Sequence, residues 1–288
     1  MKMLLIGADG QLGSDLAVQF ASRFDLIPFT IANLDITRAD AVRSAVDAIR
    51  PDIIVNTAAY HKPDDCEQHP DLAFGVNALA ARTLALAAES TGAQLVHFST
   101  DYVFDGEKQS PYLETDCPNP LSVYGASKLS GELLIRQISD RHLVLRVSGI
   151  YGKTRCMGKG GNFINTMMRL YREKKNIRVV TDEIMTPTST VEIGRQLDAM
   201  LQHGLTGLFH ATNGGACSWH EFAKAVFAFL NLDVAVQPAR VADFPPSVKR
   251  PRYSVLENAR LNVLGLNVMT DWKTALKNFL KNVKPETL

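Results

Sequence analysis

MKMLLIGADGQLGSDL, residues 1–16, decides the fold. The continuous apolar run KMLLIG, 2–7, reads as a strand buried on both faces. It passes into G-A-D-G-Q-L-G, with glycines at 7, 10 and 13, and then into the helical spacing of DLAVQFASRF, 15–24. Gly7 permits the tight turn, Gly10 lets backbone approach a pyrophosphate, and Gly13 lets helix and strand pack closely. Phosphates would then meet free N–H groups at the positive end of the helix. The spacing is G-x-x-G-x-x-G rather than the commoner G-x-G-x-x-G. Its place in the first strand–helix unit is what points to nucleotide binding.

The same rhythm continues outward from that turn. LIPFTIA (26–32), DIIVNTAA (52–59), QLVHFST (94–100) and HLVLRVS (142–148) read as further strands. Between them lie helical patterns: AVRSAVDAI (41–49), with Thr37 as its cap and Pro51 as its stop, and the long PDLAFGVNALAARTLALAAESTG (70–92), closed by Gly92. The strands are apolar throughout instead of alternating, so both faces are expected to be covered by helices. That pattern predicts an α/β fold with a doubly wound parallel sheet and right-handed crossovers. Ligands in such folds sit beyond the carboxyl ends of the strands.

After residue 150 the pattern changes. GKTRCMGKGGN (152–162) is a polar, glycine-rich loop, and NFINTMMRLYREK is an amphipathic helix. GLFHATN (207–213) reads as one more strand of the sheet, SWHEFAKAVFAFL as a helix with a Ser218–Glu221 capping box, and FPPSVKRP (244–251) as a loop. The expectation is a nucleotide-binding domain over 1–150 and a smaller C-terminal, mainly substrate-binding domain over 151–288. The chain is expected to return to the first around 186–213.

Composition narrows the function. The 288 residues carry a formal charge of +1 and are nearly half hydrophobic. A near-neutral chain without a basic run argues against nucleic-acid and membrane-surface partners. Cys66, Cys117, Cys156 and Cys217 form no C-x-x-C pair or metal-type spacing, so no metal is expected and the thiols read as reduced, in a cytoplasmic protein. The N-terminal apolar run is too short for a signal core or a membrane span, and no other long apolar segment stands out.

VYGASKLSGE, 123–132, sets Tyr124 and Lys128 one helical turn apart. A free phenol has a pKa near 10, and a neighbouring ammonium favours the phenolate. Side chains at i and i+4 share a helix face. The small residues between them, Gly125, Ala126 and Ser127, read as room for a cofactor along the helix. Thr100, at the carboxyl end of its strand in HFSTDYVFDG, supplies a second hydroxyl facing the same crevice. An acidic residue about 20 positions past the glycines would favour NAD. Asp35 stands near that place, and no arginine is positioned for a 2′-phosphate, so the residues leave NAD against NADP open.

Together, GADGQLG, the strand-end Ser-Thr and YGASK resemble the extended short-chain dehydrogenase/reductases. More closely, LDITRADAV, RPDIIVNTAAY, the DxxE of Asp64–Glu67, STDYVFDG, YGASKLSGE and RPRYSVLENARL resemble the dTDP-4-dehydrorhamnose reductase family over nearly the whole chain. The resemblance implies a Rossmann-like fold. It also implies reduction of the 4-keto group of a dTDP-linked 6-deoxy sugar with NADP(H), NAD(H) remaining possible, and a homodimer is a possible assembly. By that resemblance, Tyr124, Lys128 and Thr100 are catalytic. Gly7, Gly10, Gln11 and Leu12 would line the pyrophosphate, and Asp35 and Ile36 would flank the adenine. Ala58, Ala59 and Tyr60 would border the cofactor, and Asn77, a helix asparagine behind the catalytic site, would join the cofactor-binding set. Asp101, Asn162 and Phe163 would meet the substrate.

Two departures from the family pattern fall near the sugar. A tryptophan usually follows R-x-S, where this chain has Gly149 and Ile150. A glycine usually stands where DEIMTPT has Met185. Other readings are an epimerase, or a dehydratase, which usually carries Asp-Glu after the threonine where this chain has Asp101 and Tyr102. A non-catalytic dinucleotide-binding regulatory subunit is a reading of a different class.

Overall fold

The computed structural model describes residues 1–153, 161–245 and 248–281. Cys156, most of the 152–162 loop, and Pro246 and Ser247 of the proline-rich loop lie outside them. Six parallel strands form one sheet: β1 (Lys2–Ile6), β2 (Asp25–Phe29), β3 (Ile53–Asn56), β4 (Gln94–Thr100), β5 (His142–Val147) and β6 (Gly207–His210). Their order is β6-β5-β4-β3-β1-β2, so the chain runs outward from β1 to one edge and then crosses back over it. The reversal lies between β1 and β3, which is where a doubly wound sheet opens its ligand crevice.

Each face of the sheet is covered by helices, as the unbroken apolar strands require. Helix α1 (Gln11–Phe20) packs on one face, and α2 (Ala39–Ile49) and α3 (Pro70–Thr91) on the other. With α2 and α3 lies α4 (Val123–Ile138), the helix that carries Tyr124 and Lys128. Alternate residues of a strand divide between the faces. Met3 and Leu5 join Leu12, Leu16 and Phe20 on the α1 side, while Leu4 and Ile6 join Val42, Val46 and Leu84 on the other. By composition and length α3 passes a test for a membrane-crossing helix, with a mean hydropathy of 1.2, which the sequence reading had not singled out. Half of its most apolar window is packed inside, through a row of alanines against the sheet. A π turn at Gly75–Leu79 interrupts it, and Gly92 ends it in the left-handed conformation at φ 72°.

Several predicted ends move, each for a local reason. The second strand stops at Phe29 because Asn33 Oδ1 accepts from the Thr30 N–H at 3.0 Å and starts a turn. The third stops at Asn56, whose side-chain oxygen accepts from the Ala58 N–H at 3.1 Å. Thr37 does not cap α2. Its hydroxyl donates to Asp35 Oδ1 at 2.7 Å, and Arg38 takes the cap position without a side-chain bond.

Beyond β5 lie α5 (Phe163–Arg172), α6 (Thr190–Gln202), α7 (Trp219–Phe229) and α8 (Trp272–Lys281). The α6 residues Ile193, Leu197 and Met200 pack on the α1 face of the sheet, and β6 extends its edge beside β5. A separate apolar cluster, including Met167, Phe222, Trp272 and Phe279, joins α5, α7 and α8 into a second lobe. Ser218 caps α7 through the predicted box with Glu221.

Candidate active site

A cavity of about 1180 Å³ opens between the carboxyl ends of β1, β3 and β4 and the second lobe. Most small-molecule pockets hold about 300–1,000 Å³, so this one has room for more than one ligand. Its wall brings together Gly7, Gly10, Gln11, Leu12, Asp35, Ile36, Ala58, Ala59, Tyr60, Tyr124, Lys128, Asn162 and Phe163. A second cavity of about 180 Å³ holds Thr100 and Asp101 and shares Tyr124, Glu183 and Trp219 with the first.

The glycine turn fits a pyrophosphate. Helix α1 begins after Gly10 with no side chain capping its first turn, which leaves its N–H groups for an anion. Gly7 sits at φ 77°, where a side chain is strained. A Cβ on Gly13 would overlap the Gly7 carbonyl oxygen and stand 2.8 Å from Thr57 Oγ1. Gly13→Ala is therefore expected to cost about 1–3 kcal/mol through overpacking, read as a lower unfolding midpoint in urea. An unchanged midpoint would mean that the turn relaxes freely. The Gln11 side chain turns away from the anion position. Its Nε2 donates to Ile150 O at 3.1 Å and its Oε1 accepts from Asn162 Nδ2 at 2.9 Å, tying the turn to the second lobe. Asp35 stands at the cavity edge as a carboxylate, its pKa lowered by the Thr37 hydroxyl and then the Thr37 N–H.

Helix α4 is anchored at its start. Ser122 Oγ accepts from the Gly125 N–H at 3.2 Å, and Glu67 of the DxxE motif accepts from the Val123 N–H at 2.8 Å. The residues between Tyr124 and Lys128 are small for a reason other than cofactor room, and none of them lines the cavity. A Cβ on Gly125 would overlap Tyr102 O, and Ser127 is fully buried, accepting from Asn77 Nδ2 at 3.0 Å. They let the helix lie against neighbouring backbone. Asn77, expected near the cofactor, lines neither cavity. Its amide also bonds the Tyr60 N–H and C=O, both at 2.9 Å, so it clamps the loop after β3 to α4.

Where the two cavities meet, the Tyr102 and Tyr124 rings stand edge-on at 5.7 Å. Thr100 Oγ1 donates to Asp101 Oδ1 at 3.0 Å, and Ser148 donates to Asp101 Oδ2 at 2.8 Å. Burial raises the Asp101 pKa, against the hydrogen bonds from Ser254, Ser148 and Thr100. Lys128 is 3 % exposed, and burial lowers its pKa to about 8, with Glu132 opposing. Below it, Arg146 holds Glu132 through Nε at 3.0 Å and Nη2 at 2.7 Å, and Ser99 donates to the same carboxylate.

Among the lining residues that sequence reading missed, three carry chemistry of interest: Trp219, Glu183 and Arg250. Trp219 reaches the cavities from the first position of α7, its ring 4.6 Å from that of Phe163. Glu183, its pKa raised by burial, and Arg250 also line the larger cavity. Arg250 and Glu183 stand in motifs already noted, RPRYSVLENARL and DEIMTPT. Trp219 offered only the capping pattern beside it. Trp272, by contrast, is buried in the core of the second lobe.

The two departures from the family pattern touch. Gly149 sits at φ 51°, and a Cβ there would lie 3.0 Å from Met185 Sδ. Bulk missing at 149 is thus partly replaced by bulk gained at 185.

Relatives agree with this architecture. The family described as RmlD substrate binding domain matches residues 1–284. The spore coat polysaccharide biosynthesis protein SpsK of Bacillus subtilis is 36% identical over 281 residues, 97% of each chain. The dTDP-4-dehydrorhamnose reductase of Aggregatibacter actinomycetemcomitans is 35% identical, over 96% of this chain and 97% of its own. A crystal structure of dTDP-4-dehydrorhamnose reductase from Bacillus anthracis in complex with NADP superposes with a TM-score of 0.92 at 38% identity, over 98% of this chain and 99% of that one. With a glycine turn, a strand-end threonine and a Tyr–Lys helix around one crevice, and with these likenesses over nearly its full length, the chain belongs to the RmlD family of dTDP-4-dehydrorhamnose reductases.

Proposed function

We propose that this protein reduces the 4-keto group of a dTDP-linked 6-deoxy sugar, dTDP-4-dehydrorhamnose to dTDP-rhamnose, with NADP(H). The observation that carries this reading is the position of Tyr124. It is common to the long cavity that begins at the glycine turn and the small one that holds Thr100. A proton donor there serves a substrate oxygen and a dinucleotide at once. NADP(H), when bound, supplies the hydride for C4.

The chain's residues do the rest. The α1 N-terminus, with Gly7, Gly10 and Leu12, receives the pyrophosphate, Asp35 and Ile36 flank the adenine, and Ala58, Ala59 and Tyr60 border the dinucleotide. Tyr124 gives its proton to the C4 oxygen. Thr100 turns its hydroxyl from Asp101 to that oxygen, and Lys128 provides positive charge beside Tyr124. Asn162 and Phe163 face the nucleotide part of the sugar substrate, and Trp219 supplies an aromatic wall for the sugar. Among the described residues Cys66, Cys117 and Cys217 form no disulfide, which supports placement in the reducing cytoplasm.

The test is NADPH and NADH oxidation with a panel of 4-keto nucleotide sugars. Turnover of the dTDP-linked 6-deoxy sugar, faster with NADPH, is expected. Cofactor binding without turnover across the panel would favour a regulatory subunit instead. In the same assay Trp219→Ala is expected to raise KM for the sugar nucleotide about two- to tenfold, the loss of about 0.5–1.5 kcal/mol of aromatic contact. A kcat little changed would show that the ring binds ground and transition states alike.

A further inference from the structure

A buried polar chain ends on Lys128 from the side opposite the cavity. The Ala58 N–H donates to Asn56 Oδ1 at 3.1 Å, which fixes that amide and leaves its Nδ2 facing His97 Nδ1 at 3.1 Å. An amide donor there makes Nδ1 the acceptor. Burial, and then Lys128, hold His97 well below the ordinary histidine range, so the ring is neutral and its one proton lies on Nε2. Nε2 stands 3.3 Å from Lys128 Nζ. An ammonium has donors and no acceptor. Only the lone pair of a neutral amine can receive the His97 N–H, while the amine donates to Phe98 O at 2.5 Å.

We propose that His97 is a positioning residue that favours the neutral, inward-facing amine of Lys128, so that at mildly alkaline pH Lys128 takes up a proton as it turns from His97 to a dinucleotide in the cavity. The inference rests on the reductase reading above. The proton comes from water and forms the third N–H bond of the ammonium. His97 keeps its own proton, because Asn56 fixes its tautomer. The groups around Lys128 agree. Glu132, one turn along α4, is paired with Arg146 of β5 and only partly offsets the burial of Lys128. Tyr124 lies on the cavity side, and β4 and the turn after it bring His97, Asp101 and Tyr102. β3 adds the amide of Asn56 and α3 that of Asn77, while Glu67 is engaged by the Val123 N–H at the start of α4. Beyond Glu132, which by itself raises the Lys128 pKa, the further negative charge that favours an ammonium comes from the bound nucleotide.

Two measurements on the full chain test this. Nitrogen NMR of the wild-type imidazoles is expected to show His97 neutral with its proton on Nε2. A proton on Nδ1, or a charged ring, overturns the proposal. Calorimetric titration with NADPH, in buffers of different ionisation enthalpy, counts the protons taken up. Above about pH 7.5 the 2′-phosphate, with its pKa near 6, adds little. Uptake is expected to rise towards one proton per NADPH with a midpoint near the Lys128 value of about 8. His97→Leu is expected to move that midpoint up by about one pH unit, a tenfold gain in proton affinity. NADPH binding with no proton uptake, or an unmoved midpoint in a His97→Leu protein that binds NADPH, sinks the coupling alone. No NADPH binding by the wild type sinks the reductase reading and the coupling with it, whereas the tautomer is decided without ligand.

Discussion

Tyr124→Phe is expected to lower kcat by about 10²- to 10⁴-fold, the usual contribution of a positioned proton donor, while NADPH affinity changes little. The substitution removes one oxygen and keeps the ring. The edge contact with Tyr102 at 5.7 Å is preserved. The helix is fixed through backbone and neighbouring groups: the Tyr124 carbonyl accepts from Ser127 Oγ at 2.8 Å, and the helix start is held by Ser122 and Glu67. Steady-state turnover beside a direct NADPH titration separates the two effects. A variant with wild-type kcat would remove Tyr124 from the chemistry, and one that no longer bound NADPH would make the residue chiefly a cofactor support.

Glu132→Ala is expected to give the largest loss of stability. The carboxylate is fully buried and takes both Nε and Nη2 of Arg146, itself 1 % exposed, whose Nη1 has no hydrogen-bond partner. Taking the anion away leaves an uncompensated guanidinium between β5 and α4, which costs about 3–5 kcal/mol. At about 2–4 °C per kcal/mol for a chain of this size, the melting temperature falls by roughly 10 °C. Replacing both members, as Glu132→Met with Arg146→Leu, is expected to restore much of the loss, because no charge is then left buried. Thermal denaturation of the three variants checks this, and equal melting temperatures for Glu132→Ala and wild type would contradict it.

What was legible in the sequence was local. Apolar runs such as KMLLIG and DIIVN can be buried only as central strands, and the glycine turn names its own neighbours. Thr100 and Tyr124 could be paired because each sits at a place the topology brings to the crevice. Strand ends were less legible, because side-chain turns at Asn33 and Asn56 compete with the ladder. Residues whose role depends on tertiary approach were not legible at all. The smallness of Gly125 and Ser127 reflects the backbone of Tyr102 and the amide of Asn77, not the space above the helix. Trp219 and Arg250 reach the cavity only because the second lobe folds over it.

The nearness of Met185 to position 149 also bears on how these two sites can be changed. At φ 51°, with Met185 Sδ 3.0 Å from a Cβ built there, a side chain at position 149 is strained and requires Met185 to shift. Shrinking Met185 alone does not restore the wall, since glycine at 149 has nothing to extend into the gap. The two sites lie close enough for exchanges at them to be non-additive. Laboratory evolution of substrate range in this enzyme is therefore expected to stall at either position singly and to advance when both codons vary together.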